Sequence, residues 1–378
     1  MRVAVRKETA SGERRVAIVP DVVPRVVESG FEVHVEAGAG AAAYYSDDAY
    51  RERGAVVNAD PAAVLGRADV LLTVQPPDLS ELDLLPEGAA VIGLLQPGGE
   101  SLIEALARRK LAGYSLELLP RISRAQSMDA LSSQASVAGY RAALLAADRL
   151  PKFFPMLVTA AGTVPPAKVL VLGAGVAGLQ AIATARRLGA VVSAYDVRQA
   201  AAEEVSSLGA RFISLELESQ DGTGGYAAAQ SAEFLVQQRL MLAPHIADAD
   251  VVITTAAVPG RRAPLLITAE MVEGMRPGSV LVDLAAESGG NCELSRPGEE
   301  VMHAGVAIVG VRNLPSTLPT HASQLYARNL AALLAALSRD GELQAEADQE
   351  ISGAICVTRD GELLHETLRR LVPEGSTA

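Results

Sequence analysis

The feature that most constrains this fold is a turn with the spacing GxGxxG, formed by Gly173, Gly175 and Gly178. A short apolar run, 168–172, precedes it and is typical of a buried parallel strand, and a helical stretch through Leu188 follows. In such a turn the first glycine permits the tight bend, the second lets the backbone approach a pyrophosphate, and the third lets helix and strand pack closely. The helix N-terminus offers N–H groups and the positive end of its dipole to the phosphates. Because strand, turn and helix occur in this order, the sequence predicts dinucleotide binding; the alternative is an ordinary glycine-rich turn.

The acidic residue Asp196 closes the next predicted strand, 191–195, and indicates which dinucleotide binds. A carboxylate at this position hydrogen-bonds the ribose 2′-OH of NAD. It repels the 2′-phosphate of NADP, since a like-charge contact near 4 Å costs up to ~4 kcal/mol at an effective dielectric of ~20. Arg198 lies close enough in the sequence to accept a 2′-phosphate, but we interpret it as a helix-start arginine because Asp196 would first have to be neutralised. The sequence therefore predicts NAD(H). The predicted cofactor contacts in this stretch are Gly173, Gly175, Val176, Gly178, Asp196, Val197 and Arg198.

Composition excludes several classes of function. The 378-residue chain has a formal net charge of −12 and a pI near 5, so it lacks the basic surface that neutralises nucleic-acid phosphates. Its two cysteines, Cys292 and Cys356, are too few for a disulfide framework or a zinc site, and we predict no metal. The start, MRVAVRKE, is typical of a strand rather than a signal peptide, and the longest apolar run is broken by glycine. The sequence predicts a soluble cytosolic chain without direct membrane insertion.

Apolar runs alternate with helical stretches along most of the chain, which predicts an α/β fold with parallel sheets and helices on both faces. The length favours two domains. We expect two Rossmann-like domains with the NAD cleft between them: an N-terminal domain of residues 1–131 completed by 316–378, and an NAD-binding domain of residues 132–315. A helix is predicted at about 324–338. Further strands are predicted at 3–5, 31–35, 69–74, 89–95, 112–118, 211–214, 250–254, 279–284 and 306–311, with a strand-like run at 354–358.

A polar segment, RISRAQSMDALSS at 121–133, joins the last strand of the first unit to a helix predicted over about 134–149. Polar side chains of several kinds at a connection between domains are typical of a ligand cleft. The alternative is a capping segment, in which Asp129 or Ser132 is the N-cap of the helix. Composition alone favours neither interpretation.

A second unusual segment lies between Glu216 and Gln238, where glycines and small residues surround Tyr226. A long insertion of this kind is typically a functional lid or a disordered loop. After the following predicted strand, Ala257 begins a loop at the carboxyl edge of the sheet, where such sheets bind ligands. Ala257 is therefore a further predicted cofactor contact.

Four motifs together carry a resemblance to a known family: RISRAQSMDALSSQA, VLGAGVAGLQAI with YDVR, the GGYA loop, and VDLAAESGGN. Over essentially its whole length the chain resembles the NAD(H)-binding alpha subunit of the Re/Si-specific, proton-translocating NAD(P) transhydrogenase. The resemblance implies direct hydride transfer between NADH on this chain and NADP(H) on a partner subunit, coupled to proton translocation. It also implies a cytoplasmic homodimer, peripheral to the inner membrane, that docks on an NADP(H)-binding beta subunit and a membrane subunit.

The resemblance implies roles for individual residues as well. Arg121, Gln126 and Asp129 match the motif that lines the nicotinamide and organises the transfer geometry, and Ser132 matches a serine beside the carboxamide. Tyr226 matches the tyrosine of a mobile loop that closes over bound nucleotide. Transfer between two dinucleotides requires no general acid or base, so the expected contribution of these residues is positioning.

Alanine dehydrogenase is similar over the same length and is the first alternative. Oxidative deamination needs a proton acceptor and a carboxylate anchor. That family has a lysine and a histidine where this chain has Gln75 and Gln96, and its aspartate before a Gly-Gly pair is Glu287 here, whereas Arg15 remains. We therefore expect negligible oxidation of alanine. The other alternative is a non-catalytic NAD-binding module.

Overall fold

The computed structural model of the chain describes residues 1–97, 100–215, 231–257, 262–339, 341–344 and 348–364. The strands are β1 (Arg2–Val5), β2 (Glu32–Glu36), β3 (Val56–Asn58), β4 (Val70–Leu72), β5 (Ala90–Gly93), β6 (Ala112–Ser115), β7 (Leu157–Thr159), β8 (Gly162–Val164), β9 (Lys168–Leu172), β10 (Val191–Tyr195), β11 (Arg211–Phe212), β12 (Val251–Thr254), β13 (Val280–Asp283), β14 (Glu300–His303), β15 (Val306–Gly310), β16 (Ser338–Arg339), β17 (Glu342–Leu343), β18 (Cys356–Arg359) and β19 (Glu362–Leu363). The α-helices are α1 (Val23–Glu28), α2 (Asp47–Glu52), α3 (Pro61–Leu65), α4 (Leu79–Leu82), α5 (Glu100–Arg108), α6 (Ala130–Arg149), α7 (Val176–Arg187), α8 (Ala201–Ser207), α9 (Ala232–Asp248), α10 (Ala269–Glu273), α11 (Pro319–Leu337) and α12 (Gln349–Ile355).

The chain divides into two compact units: Met1–Gln134 with Ser316–Ala378, and Ala135–Pro315. In the first unit, β1 to β6 are parallel and lie in the order β3-β2-β1-β4-β5-β6, which is the order of a doubly wound sheet. The later strand β18 pairs antiparallel with β6 and carries β19 at the edge. The C-terminal segment thereby extends the sheet that the N-terminal residues begin.

Side chains of the first sheet alternate between two apolar clusters, as the pleat of a strand requires. Val3 and Val5 enter a cluster with residues of α1 and α11, whereas Ala4 between them enters a cluster with residues of α3 and α5. Helices therefore cover both faces of this sheet. Because both faces are covered, β4 and β5 are buried along their whole length and carry mostly valine, leucine and isoleucine.

The second unit repeats the same plan. Its parallel strands lie in the order β11-β10-β9-β12-β13-β15, again the doubly wound order, and β14 adds antiparallel to β15. Val169 and Val171 of β9 face a cluster with α6 and α7, and Leu170 and Leu172 face a cluster with α9 and α10. The prediction of α/β architecture with parallel sheets and helices on both faces is confirmed.

Some element boundaries differ from the sequence-based prediction. The helix predicted from about residue 134 begins at Ala130, because Asp129 caps it. The helix predicted from about residue 324 begins at Pro319, since proline is favoured in the first turn. The antiparallel hairpin of β7 and β8, which is largely exposed, has no apolar alternation that predicts it. No helix within the described ranges has the length and apolar character needed to span a bilayer.

Candidate functional site

The glycine turn lies at the carboxyl end of β9, next to the point where the strand order of the second sheet reverses between β9 and β12. Gly173 has φ +98°, a conformation that side chains disfavour. A Cβ atom on Gly178 would lie 1.9 Å from the carbonyl oxygen of Gly173, so only glycine permits this close packing of α7. A Cβ atom on Gly175 would meet no heavy atom of the described chain within 4 Å. The backbone at Gly175 is therefore open to a ligand.

The first turn of α7 begins directly after this open position, at Val176. Gly175 is its N-cap, and no side chain within the described residues caps the helix there. The first intrahelical bond from this turn runs from the Leu179 N–H to the Gly175 carbonyl oxygen at 2.8 Å, so the preceding N–H groups have no intrahelical acceptor. Uncapped N–H groups and the helix dipole form an anion site. These residues fit the pyrophosphate of a dinucleotide.

Asp196 follows β10 and is 9% exposed. Its Oδ2 atom accepts the N–H of Ala174 at 2.7 Å, which ties the end of β10 to the glycine turn. Arg198 donates its backbone N–H and Nε–H to Oδ1 at 2.8 and 3.0 Å, and Nη2 to Oδ2 at 2.9 Å. Because the guanidinium partly neutralises the carboxylate, the repulsion expected toward a 2′-phosphate is weaker than Asp196 alone would give.

The interpretation of Arg198 as a helix-start arginine therefore needs correction. The following helix, α8, begins only at Ala201, and the Arg198 side chain binds Asp196 instead. Because the two residues are close in sequence, the local pattern Asp-x-Arg indicates this ion pair. Arg198 itself therefore partly supplies the neutralisation of Asp196 that binding of a 2′-phosphate requires.

The other predicted contacts of this unit surround the same edge of the sheet. Val176 is exposed, and Val197 is partly buried against the apolar cluster that contains α9 and α10. Ala257 is exposed, just after β12. Tyr226 lies outside the residues that the structure describes.

Asn291 is a residue of this edge that sequence reasoning missed. It is fully buried, and its Nδ2 atom donates to the carbonyl oxygens of Ala256 and Pro264 at 2.8 and 2.9 Å. Its Oδ1 atom accepts the Ala256 N–H at 3.0 Å. The buried carboxylate of Asp283 in turn accepts the N–H of Asn291 at 2.9 Å. Asn291 therefore fixes the backbone on both sides of the loop that follows β12. The signal in the sequence is a lone asparagine after two glycines in VDLAAESGGN.

In the first unit, the predicted polar segment forms a 3₁₀ turn, Ser123–Met128, directly before α6. Ala125 and Met128 are buried in the core, whereas Gln126 between them is exposed, as is Arg121. Exposure leaves the Gln126 amide accessible to a ligand. The structure places Gln126, Asp129 and Ser132 along one continuous turn and helix start.

Of the two residues considered as the N-cap of α6, Asp129 is the one that caps it. Its carboxylate accepts the N–H of Ser132 at 2.8 Å and the hydroxyl of Ser132 at 2.6 Å. An N-cap side chain that accepts the N–H of the third helical residue is the usual capping geometry. Asp129 is thus the cap and Ser132 lies inside the helix. The cap does not conflict with ligand binding, because a carboxylate has further lone pairs.

A polar network lies near the carboxyl ends of β4 and β5, with Glu13 and Arg15 buried, Gln75 half-buried and Gln96 exposed. Glu13 and Arg15 form a bidentate pair, with Nε to Oε1 at 2.8 Å and Nη2 to Oε2 at 2.7 Å. Gln75 donates from Nε2 to Glu13 Oε2 at 2.9 Å, and the Gln96 Nε2 atom lies 3.4 Å from Gln75 Oε1. Gln96 itself has φ +48°, a strained conformation for a residue with a side chain. Three of the positions compared with alanine dehydrogenase, Arg15, Gln75 and Gln96, therefore lie together. The fourth, Glu287, lies in the second unit, where its carboxylate accepts the Asn313 N–H at 2.9 Å.

The two buried carboxyl groups near these strands have opposite pKa shifts. Burial raises the pKa of Glu13, but the hydrogen bonds and charge of Arg15 outweigh this and lower the pKa to about 2. Burial dominates at Glu8 and raises its pKa, although Arg6 and two backbone N–H groups oppose it. Among the described residues, no group of three or more His, Cys, Asp or Glu side chains has an arrangement suited to a metal ion.

Two family models match the chain. The model described as "Alanine dehydrogenase/PNT, N-terminal domain" matches residues 4–138. The model described as "Alanine dehydrogenase/PNT, C-terminal domain" matches residues 142–366. Together they cover nearly the whole sequence.

Known proteins of two kinds resemble the chain along its length. The first part of the NAD(P) transhydrogenase alpha subunit of Rhodospirillum rubrum is 48% identical over 381 residues, which cover 97% of this chain and 99% of that protein. Alanine dehydrogenase of Bacillus subtilis is 28% identical over 383 residues, covering 98% and 94%.

Solved structures give the same two groups. A transhydrogenase from Sinorhizobium meliloti is similar with a TM-score of 0.85 and 45% identity, covering 97% of this chain and 100% of that one. An L-alanine dehydrogenase has a TM-score of 0.82 and 26% identity, covering 98% and 99%. Both have two Rossmann-like domains, in agreement with the two doubly wound sheets of this chain.

Proposed function

The chain belongs to the alanine dehydrogenase/PNT family, and we propose that within it the chain is the NAD(H)-binding alpha subunit of a Re/Si-specific, proton-translocating NAD(P) transhydrogenase. In this proposal hydride passes directly between NADH on this chain and NADP⁺ on an NADP(H)-binding beta subunit. The transfer is coupled to proton translocation through a membrane subunit. The 48% identity to a transhydrogenase alpha subunit, against 28% to an alanine dehydrogenase, supports this choice within the family.

The observation that carries the proposal is the pair of amides, Gln75 and Gln96, beside Arg15 and Glu13. Oxidation of an amino acid needs a group that accepts a proton, and an amide side chain does not titrate at neutral pH. Gln75 donates a hydrogen bond to Glu13, whose low pKa keeps this carboxylate ionised and bound to Arg15. The site thus supports a chain that positions a nicotinamide and exchanges no proton with a small substrate.

The residues of this chain have three tasks in the proposed reaction. The open backbone at Gly175 and the first turn of α7 hold the pyrophosphate. Asp196, oriented by the Ala174 N–H and by Arg198, binds the ribose hydroxyls. The turn with Arg121, Gln126 and Asp129, followed by Ser132, orients the nicotinamide. The bound NADH supplies the hydride.

The proposal includes a homodimer that stays on the cytoplasmic side and attaches to the inner membrane through its partner subunits. Large apolar side chains that face solvent in and before the β7–β8 hairpin support a further protein contact there: Phe153, Met156 and Val158. Sedimentation of the purified chain tests the dimer, because a chain that stays monomeric at micromolar concentration contradicts this component of the proposal.

The experiment that tests the proposed function is a comparison of Gln126→Asn with wild type in the complex reconstituted from this chain and its NADP(H)-binding partner. The substitution keeps the amide but withdraws it by one methylene, and a misplacement of ~1 Å can cost on the order of 100-fold in rate. We expect single-turnover hydride transfer to fall by about that factor, with NADH affinity nearly unchanged. Ser127→Ala, which changes the neighbouring exposed side chain of the same turn, is the matched control and should keep the wild-type rate.

Each outcome distinguishes one interpretation. No transfer by the wild-type complex rejects the transhydrogenase proposal and leaves the two alternatives, an alanine dehydrogenase and a non-catalytic NAD-binding module. Equal rates for Gln126→Asn and wild type reject the role of this turn. A parallel loss of NADH binding and rate indicates that the substitution disrupts the structure rather than the transfer geometry.

A further inference from the structure

Asn329 of α11 binds two parts of one segment through its side-chain amide. These are the turn Ser123–Met128, which we call the candidate nicotinamide turn, and the start of α6. Its Nδ2 atom donates to the carbonyl oxygen of Ser127 at 2.8 Å. Its Oδ1 atom accepts the hydroxyl of Ser133 at 2.7 Å. Ser127 is the residue after Gln126, and Ser133 is the residue after Ser132. One amide therefore fixes the spacing between the exposed glutamine and the start of α6.

The orientation of this amide follows from its partners. The Ser127 carbonyl oxygen can only accept, so the nitrogen of Asn329 must face it. The oxygen then faces the Ser133 hydroxyl, which donates to it. The Asn329 side chain is 7% exposed, so water does not readily replace either bond. Both hydrogen bonds of Asn329 are therefore buried, and they fix the orientation of its amide.

The network continues beyond Ser133. Gln134 donates from Nε2 to the Ser133 hydroxyl oxygen at 3.2 Å and to the Ala322 carbonyl oxygen of α11 at 3.0 Å. Its Oε1 atom accepts from Arg15 Nη1 at 2.8 Å, and Arg15 is held by Glu13. Asn329 thus connects the turn to the buried Arg15 pair through a continuous series of hydrogen bonds.

A further polar tie to this turn, from Arg124 to Asp348 and Glu350, is exposed. Arg124 donates to both carboxylate oxygens of Asp348 at 3.1 and 3.2 Å, and its side chain is 55% exposed. Exposed ion pairs contribute little and are screened by salt. Ala125 and Met128 anchor the turn in the apolar core but make no contact through their side chains that could orient an exposed amide by hydrogen bonding. The buried Asn329 bond is therefore the tie best suited to set the direction in which Gln126 points.

We propose that Asn329 is a positioning residue for hydride transfer, acting through the Ser127 backbone on Gln126 and through Ser133 on the start of α6. This inference rests on the proposed function. A positioning residue affects the transition state more than ground-state binding, so removing it should slow transfer and leave NADH affinity nearly unchanged.

The test measures single-turnover hydride transfer and equilibrium NADH binding for Asn329→Ala in the reconstituted complex. We expect transfer at least tenfold slower than wild type, with the NADH Kd within about twofold. Thr358→Val is the matched control for a lost buried side chain. Thr358 is fully buried in β18, and its hydroxyl donates to the Leu111 carbonyl oxygen and accepts the N–H of Gly113 in the neighbouring strand β6. We expect this control to lower the unfolding midpoint and keep the wild-type transfer rate.

Asn329→Asp provides a pH-dependent readout that general destabilisation does not imitate. When protonated, the introduced carboxyl group can donate to the Ser127 carbonyl oxygen as the amide does. When ionised, it places a carboxylate oxygen against that carbonyl oxygen. Burial raises the pKa of such a group, so the change falls above the usual range of aspartate. Relative to wild type, the transfer rate of this variant should fall as the pH rises through that pKa.

The outcomes separate this inference from the proposed function. A wild-type complex without transfer rejects the proposed function. With an active wild type, an Asn329→Ala rate within twofold of wild type overturns the positioning role alone. Joint loss of NADH affinity and rate in both Asn329→Ala and Thr358→Val, or an Asn329→Asp rate ratio independent of pH, also overturns it and indicates a purely structural side chain.

Discussion

Two glycines of the same turn should respond in opposite ways to the addition of one methyl group. Gly175→Ala places a Cβ atom where no described protein atom lies within 4 Å, whereas Gly178→Ala places one 1.9 Å from the Gly173 carbonyl oxygen. The first substitution should weaken nucleotide binding and leave the stability of the protein nearly unchanged. The second should weaken the fold itself.

The expected stability change for Gly175→Ala is close to zero. Gly175 has φ −76°, which alanine adopts readily, and replacing glycine at such a position gains ~0.4–1 kcal/mol through the unfolded state. Gly175 is also the N-cap of α7, where alanine is disfavoured by a similar amount. The two effects nearly cancel, so we expect the free energy of unfolding to stay within about 0.5 kcal/mol of wild type.

The expected stability change for Gly178→Ala is large, because the atoms it meets belong to the backbone. Ordinary contacts begin near 3.4 Å, and the nearest atoms, the oxygen and carbon of Gly173 at 1.9 and 2.9 Å, cannot rotate away as a side chain would. Overpacking a well-packed site typically costs 1–3 kcal/mol, and we expect about 3 kcal/mol here.

Nucleotide binding should fall for Gly175→Ala because the methyl group occupies the space through which the pyrophosphate reaches the backbone. Hydrogen bonds to charged groups contribute about 1.5–3 kcal/mol, which corresponds to a Kd for NADH roughly 10- to 100-fold weaker. Urea unfolding and calorimetric titration with NADH measure the two quantities. Wild-type NADH affinity in Gly175→Ala, or a loss of more than about 2 kcal/mol in its stability, would refute the assignment. Wild-type stability in Gly178→Ala would refute the close-packing argument.

Three further predictions concern the nucleotide, the substrate and the pH. Arg198→Gln removes the guanidinium that neutralises Asp196, so the ratio of NADH to NADPH affinity should increase by up to about tenfold in calorimetric titrations. Asp196→Ala should decrease this ratio. An unchanged ratio in Arg198→Gln contradicts the neutralisation of Asp196 by Arg198. The isolated protein should form negligible NADH from NAD⁺ and alanine, as followed by absorbance, and robust formation would favour the alanine dehydrogenase alternative. Glu13, whose pKa is lowered from 4.5 to about 2, should contribute stability that is fully present above pH 4.5 and is lost as the pH falls through 2. The loss amounts to about 3 kcal/mol in urea unfolding, and Glu13→Gln should lack this component; an unchanged acid dependence in that variant would contradict it.

The parts of the fold that the sequence predicts well are those whose signal is local. β9, the glycine turn, α7 and β10 follow one another directly, and each carries its own pattern: an apolar run, spaced glycines, a helical stretch and an acid. The central parallel strands are recognisable because burial on both faces makes them continuously apolar. Edge elements such as β14 and the β7–β8 hairpin alternate weakly and are mostly exposed, so their residues resemble loops.

The polar contacts that complete the candidate site were not predictable in the same way. Asn329 binds Ser127 across 202 positions of sequence, and Arg15 binds Gln134 across 119. No local sequence pattern distinguishes Asn329, within the apolar run of α11, from a buried asparagine whose hydrogen bonds are purely structural. The choice between Asp129 and Ser132 as the cap likewise depended on where α6 begins, which propensity does not fix to within a few residues.

The two units show how the same strand order supports two kinds of site. In each sheet the strand order reverses between two central strands. A single residue comes directly after the carboxyl end of each of these two strands. In the second unit these residues are Gly173 and Thr255, and the threonine hydroxyl donates to the glycine carbonyl oxygen at 2.9 Å. The corresponding residues of the first unit are Arg6 and Thr73, where the buried guanidinium donates to the threonine hydroxyl oxygen at 3.1 and 3.2 Å.

The difference between Gly173 and Arg6 gives the corresponding edges of the two sheets different chemistry. A glycine leaves the backbone open to the phosphates of a dinucleotide, as the second unit requires. An arginine with no exposed surface fills the same position with a charged side chain, and Glu8 at 3.0 Å balances its charge. A pyrophosphate at that position would have to displace the Arg6–Glu8 pair from a buried site, where breaking one partner leaves an uncompensated charge at a cost of about 3–5 kcal/mol. The first unit therefore presents side chains rather than backbone at this edge of its sheet, and it is not suited to bind phosphates there.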